Sequence, residues 1–214
     1  YMLSDSPPER DLDWSDAGID GAWRHTRRVW RLVSEAEGLP PAGSALPGEL
    51  SDTAIALRRA THKAIAGVTD GIESFRFNTA VAQLYELTNN IAGFKPDSDG
   101  DHAALREALE ALVRLSEPMM PHLAEEAWEA LGHSNPLHAT PWPEADASLL
   151  VEDTVTMAVQ VNGKLRATID LPKDIDKDSA QEAAIAVDKV QQAIAGKELR
   201  KVIVVPGKIV NVVV

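Results

Sequence analysis

The sequence predicts a mainly α protein, a helical bundle followed by a small α+β domain of order ββαββ, and three observations predict it. Up to about residue 132, apolar side chains recur at spacings of three, four and seven, the signature of one helix face. Beyond residue 150 the period falls to two, and Asn162-Gly163 supplies the strongest short hairpin signal. Between them, Pro136, Pro141 and Pro143 surround Trp142 and no period can be read. The expected division is a connector over 1–17, a bundle over 18–132, a linker over 133–150 and the α+β domain over 151–214.

The opening Ser4 to Trp14 is too rich in turn formers for a regular element and reads as a lead-in loop. A first helix is expected from about Gly18 to Glu37, with Ile19, Trp23, Trp30 and Val33 along its packed side, and Gly38-Leu39-Pro40-Pro41 stopping it. The two tryptophans read as bundle packing rather than as base-stacking groups. A second helix runs from Ser51 to Val68, capped by Ser51 or Asp52, and a third from Asn78 to Ile91. His102 to Leu115 and Pro118 to Leu131 complete five helices, the last opening on prolines where a first turn tolerates them. In the second domain, Val155, Met157, Val159 and Val161 alternate along a strand that returns as Lys164 to Asp170. One alanine-rich helix is expected over Ser179 to Ala195, then strands over Leu199 to Val205 and Lys208 to Val214, split by Pro206-Gly207.

With 214 residues, 44% of them hydrophobic and 25% charged, the chain can build real cores. It has no cysteine, so disulfides, thiolate metal sites and cysteine catalysis are excluded. No apolar run reaches membrane-spanning length, and Tyr1 to Arg10 is unlike a secretory leader, so a cytoplasmic location is expected. The net charge of −12 taken alone opposes nucleic-acid binding. Its distribution is uneven, because residues 148–214 hold nine basic and nine acidic side chains and the whole excess lies before them.

No catalytic constellation emerges. The six histidines form no His-x-x-x-His pair around a glutamate, and the glycines build neither a phosphate loop nor a nucleophile elbow. No catalytic or metal-ligating residue is therefore assigned. Glu125, Glu126 and Glu129 read as the solvated face of a helix whose buried side is Leu123, Ala127 and Leu131. Arg24, Arg27, Arg28 and Arg31 fall within an arc of about 100° on the first helix. Such a stripe suits a row of phosphates, because guanidinium forks match their oxygens in pairs, and it equally suits ion pairs with Glu35 and neighbouring acids. In the second domain Lys164 and Arg166, two apart, are expected on one strand face beside Asn162, with Lys197, Arg200, Lys201 and Lys208 in two other loop-flanked segments that such a fold would bring near one another or near the same edge. They form either a nucleic-acid docking patch or an ordinary charged sheet surface.

Five collinear strings carry a resemblance. Ser4-Asp5-Ser6-Pro7-Pro8-Glu9-Arg10-Asp11-Leu12-Asp13-Trp14 is similar to the segment that follows the Lys-Met-Ser-Lys-Ser loop of leucyl-tRNA synthetases. Phe77-Asn78-Thr79-Ala80-Val81-Ala82-Gln83-Leu84-Tyr85-Glu86-Leu87 and Pro118-Met119-Met120-Pro121-His122-Leu123-Ala124-Glu125-Glu126-Ala127-Trp128 resemble signatures of the anticodon-binding bundle of the leucyl, isoleucyl and valyl enzymes. Val159-Gln160-Val161-Asn162-Gly163-Lys164-Leu165-Arg166 and Val205-Pro206-Gly207-Lys208-Ile209-Val210-Asn211-Val212-Val213-Val214 resemble the small C-terminal domain of the bacterial leucyl branch.

The resemblance implies a tRNA-holding portion of a class I synthetase whose parent joins leucine to leucine tRNA with ATP and Mg2+. Catalytic and editing domains of that parent would be partners within the same chain, and no cofactor is expected in this portion. It also implies a bundle lying against the inner side of the tRNA and a C-terminal domain at its elbow, which makes the arginine stripe, Lys164 and Arg166 the favoured contacts. A monomer with no membrane or DNA partner is expected. The alternatives are the matching portion of a valyl or isoleucyl-type enzyme, and a helical protein-interaction module that the net charge favours.

Overall fold

The computed structural model describes residues 1–151, 154–173, 175–194, 196 and 199–214, and of Thr154 only the backbone. Two compact units result, Tyr1–Leu150 and Val151–Val214. Among the described residues no helix is long and apolar enough to cross a membrane.

The first unit is built on α1 (Met2–Asp5), α2 (Asp16–Ser34), α3 (Asp52–Glu73), α4 (Phe77–Gly93), α5 (Asp99–Ser116) and α6 (Pro121–Ala130). Ser15, Ser51 and Ser98 cap α2, α3 and α5 by accepting from backbone N–H groups of the first turn, which fixes where each helix starts. Pro121 opens α6 at a position whose N–H would lack a partner anyway. The lead-in stretch holds one short helix, α1, in place of the loop expected there, and Ser4 Oγ closes it by donating to the Tyr1 carbonyl at 2.8 Å.

Helix α5 is central. It buries 13 of its 18 residues, so it is enclosed on nearly all sides rather than amphipathic. Leu109, Leu112 and Leu115 pack there with Val29 and Val33 of α2, Leu57 and Val68 of α3, Leu84 and Leu87 of α4, and Trp128 of α6. Gly71 lets α3 and α4 approach, because a Cβ there would lie 3.0 Å from the Ala80 Cβ and 3.1 Å from its nitrogen. Residues 133–150 run over the bundle as two 3₁₀ turns joined by extended chain, with Leu137 buried and Trp142 Nε1 donating to Thr69 Oγ1 at 2.8 Å. Glu125 contradicts its reading as part of a solvated face. It accepts from the Leu137 and His138 backbone nitrogens at 2.8 and 3.1 Å and meets His138 Nδ1 at 2.7 Å, contacts that hold its carboxyl below the ordinary value.

The second unit contains β1 (Thr154–Val161), β2 (Lys164–Pro172), α7 (Lys177–Ile185), α8 (Asp188–Ile194), β3 (Lys201–Val205) and β4 (Ile209–Val213). The sheet runs β2-β1-β4-β3, with β1 and β4 parallel and both outer pairs antiparallel. Met157, Val159, Val161, Val210 and Val212 form the covered face, against Ala180, Ala184, Val190 and Ile194. The single helix expected over Ser179 to Ala195 is two helices. In one continuous helix Ala180 and Ala184 would point about 80° away from Val190 and Ile194. The turn at Ala186 and Val187 lets both pairs reach the sheet, and Gln191 Nε2 occupies the Ile185 carbonyl left open by the break.

Candidate nucleic acid interface

The face of α2 that packs on the bundle is marked by buried His25, Val29 and Val33, four residues apart. Arg24, Arg27 and Arg31 stand exposed on the other side, and Arg28 is half-buried at its edge. Arg28 Nη1 donates to Asn89 Oδ1 of α4 at 2.6 Å, and Arg31 Nε lies 3.9 Å from Glu35 across an exposed i,i+4 pair. Among the described residues Arg24 and Arg27 make no hydrogen bond or ion pair. The alternative that neighbouring acids absorb the stripe therefore holds, loosely, for Arg31 alone.

Trp23 and Trp30 correct the sequence reading. Expected in the core, they are 59% and 37% exposed, because the buried stripe follows His25, Val29 and Val33 and leaves both indoles about 100° round the helix from its centre. A signal was present in the spacing: the four arginines fix the solvent side, and Trp23 and Trp30 are closer in angle to Arg27 than to Val29. Together with the arginines, Ser34, Glu35 and Leu123, they line an open groove of about 760 Å³.

Beneath this face His25 stacks on Tyr85 with ring centroids 3.8 Å apart, and its Nε2 is buried without a hydrogen-bond partner. Burial first, and then the neighbouring Arg28 charge, push its pKa down to about 4. The unfolded chain therefore binds a proton that the folded chain refuses as pH falls from about 6.5 towards 4, and stability is lost across that window. Exchanging His25 for Phe keeps the stack and removes the polar atom. Between pH 7 and 5 the stability advantage of H25F over the parent is expected to widen by on the order of 2 kcal/mol. Urea unfolding followed by tryptophan emission checks this; a constant difference would show that His25 titrates normally.

In the second unit Asn162 (φ 49°) and Gly163 (φ 78°) form the hairpin turn, a conformation that Asn and Gly adopt with least strain. Asn162 Oδ1 accepts from the Val214 backbone nitrogen at 3.1 Å and Asn211 Oδ1 from Gly163 N at 3.1 Å, so the turn is tied to the end of β4. Lys164 and Arg166 are exposed, but a bulge separates them. Gln160 pairs with Leu165 and Val159 with Ala167, which leaves Arg166 without an opposite residue. The rule that residues two apart share a face does not carry across such a point, so Lys164 and Arg166 are neighbours at one sheet end rather than a matched pair on one face.

Lys201 pairs with Val213 and Arg200 N donates to the Val213 carbonyl at 2.9 Å, which brings both cations to the same sheet end as the hairpin turn. Lys208 lies away from them, in the turn that starts β4 opposite Ala158. Lys197 lies outside the described residues. The structure thus gathers Asn162, Lys164, Arg166, Arg200 and Lys201 at one end of the sheet and leaves Lys208 apart.

The family described as the anticodon-binding domain of tRNA ligase matches residues 55–183. Over its full length the chain is 56% identical to a leucine–tRNA ligase of Parvibaculum lavamentivorans and 59% identical to one of Paramagnetospirillum magneticum, spanning 25% of each. It therefore covers about a quarter of the length of the curated relatives it matches. The crystal structure of a ternary complex of Agrobacterium radiobacter K84 agnB2 LeuRS with tRNA and LeuAMS superposes with a TM-score of 0.71 at 26% identity, over 99% of this chain and 28% of that one. The chain belongs to the family of anticodon-binding domains of tRNA ligases and is similar throughout to one quarter of leucine–tRNA ligases.

Proposed function

We propose that this chain is the tRNA-holding portion of a cytoplasmic leucyl-tRNA synthetase, positioning leucine tRNA for chemistry performed by other parts of the parent protein. The carrying observation is the exposed arginine face of α2, on which Arg24 and Arg27 meet no acceptor among the described residues, in a chain of net charge −12. Guanidinium groups kept free of carboxylates in an acidic protein are placed for phosphate. The cations at the hairpin end of the second unit would add a separate footprint, and the tRNA held by the Agrobacterium radiobacter LeuRS supports the same partner. Recognition would rest on phosphate and 2′-hydroxyl contacts to a folded RNA.

ATP and Mg2+ belong, on this reading, to the catalytic portion of the parent. Among the described residues no group of three or more His, Asp or Glu side chains could hold a metal ion, and the sequence has no phosphate-cradling glycine loop. No chemical step is assigned to this chain. Titration of the chain with leucine tRNA, and with an unrelated tRNA of short variable arm, tests the reading at low and moderate salt. Preferential binding that weakens steeply with salt is expected. Absence of binding to either RNA at low salt would instead favour a protein-interaction module, the reading that the acidic excess supports.

A further inference from the structure

Another cavity, of about 520 Å³, lies between α1, α2 and α4, and the tRNA-holding reading gives it no role. Its size is typical of small-molecule sites. No Asp, Glu, Lys or Arg side chain lines it, so nothing in the wall balances a charged guest. Tyr1, Trp14 and Tyr85 supply aromatic surface instead, and Met119 and Met120 add two polarisable thioethers.

Three hydroxyls in the lining are already engaged. Tyr1 donates to the Asp13 carbonyl at 2.6 Å, Ser4 to the Tyr1 carbonyl at 2.8 Å and Thr26 to the Ala22 carbonyl at 3.0 Å. His25 differs from them, because it is 7% exposed and its Nε2 has no partner, a cost that the fold leaves uncompensated. With its pKa pushed down to about 4 the ring is neutral at pH 7, and it offers a guest a hydrogen bond but no charge. A hydroxyl both donates and accepts, so it serves either tautomer of a neutral imidazole. We propose that this cavity is a binding site for an uncharged aromatic alcohol, its ring seated among Tyr1, Trp14, Tyr85 and the methionines and its hydroxyl on His25 Nε2. That nitrogen is screened from water, so the guest reaches it by displacing part of the lining, and the unbranched Met119 and Met120 repack at least cost.

Naphthol and naphthalene share a ring system and differ by the hydroxyl alone. Isothermal titration calorimetry at pH 7 should show naphthol binding the chain about tenfold more tightly than naphthalene, the worth of one hydrogen bond to a buried neutral group. His25→Phe keeps the stack on Tyr85 and removes Nε2, so it should erase that advantage, and its expected gain in stability means that the loss cannot come from unfolding. Naphthoate, which would have to shed its hydration to enter a lining without cations, should bind at least about tenfold more weakly than naphthol. In NMR spectra, bound naphthol should show nuclear Overhauser contacts to the Met119 and Met120 methyl groups. An advantage that survives in His25→Phe, or naphthoate binding as tightly as naphthol, overturns the proposal. No saturable binding of either neutral guest also overturns it, and leaves the cavity as a packing surface for another polypeptide.

Discussion

On the proposed tRNA-holding role, replacing Arg24, Arg27 and Arg31 together by alanine is expected to lower the affinity of this chain for leucine tRNA by about a thousandfold. A hydrogen bond to a charged group contributes roughly 1.5 kcal/mol or more, so three lost contacts come to about 4.5 kcal/mol, or somewhat over three decades. The slope of log affinity against log salt should fall by about three in the same titration. Arg28 is left in place because its bond to Asn89 fastens α2 to α4. The three changes cost the fold little, since alanine suits a helix surface and the Arg31–Glu35 pair at 3.9 Å is exposed. A lysine version at the same positions keeps the charge and most of the slope but loses the planar fork, so its affinity should fall between the two. Full affinity in the alanine variant would move the footprint to the second unit, where Lys164, Arg166, Arg200 and Lys201 cluster.

The order and type of the bundle helices α2 to α6 were legible because apolar residues recur at the helical period, Ser51 stands ready to cap α3 and a proline opens α6. The hairpin was legible for a similar reason, since Asn162-Gly163 specifies its turn locally. The failures share another cause, which is tertiary choice between patterns that are locally equivalent. On α2, aromatic size suggested a packed stripe through Trp23 and Trp30, yet the neighbouring helices cover His25, Val29 and Val33. No Gly or Pro announces the break between α7 and α8; it follows from where the sheet lies. The bulge at Arg166 is equally silent in the alternation of β2, because it belongs to the pairing with β1. The cationic residues were legible as types, while their grouping at one sheet end depended on the parallel pairing of β1 with β4.

A larger effect on stability is expected at Glu107 than at any exposed charge. Its carboxylate receives Arg58 Nε at 2.7 Å and Arg58 Nη2 at 3.2 Å, and faces His62 Nε2 at 3.1 Å. His62 Nδ1 accepts from the Asp146 backbone nitrogen at 2.9 Å, which places the ring proton on Nε2 and directs it at Glu107. Burial disfavours the ionised Glu107, and the hydrogen bonds from His62 and Arg58 outweigh that penalty, so the carboxyl sits below its ordinary 4.5. The side chains are 18%, 24% and 10% exposed at Arg58, Glu107 and His62, too little for water to replace a missing partner. Glu107→Ala should therefore cost about 3 kcal/mol or more, the consequence of stranding a largely buried guanidinium and an imidazole N–H. Glu107→Gln, which keeps an acceptor but loses the charge, should cost less. All five tryptophans lie within residues 1–150, so urea unfolding followed by their emission reports on this unit alone. Because the folded pKa is depressed, the contribution is fully present above the unfolded value and fades as pH falls through the folded one. The gap between wild type and Glu107→Gln should thus narrow in acid, and a gap that stays constant to pH 3 would show that the network is held by shape rather than by charge.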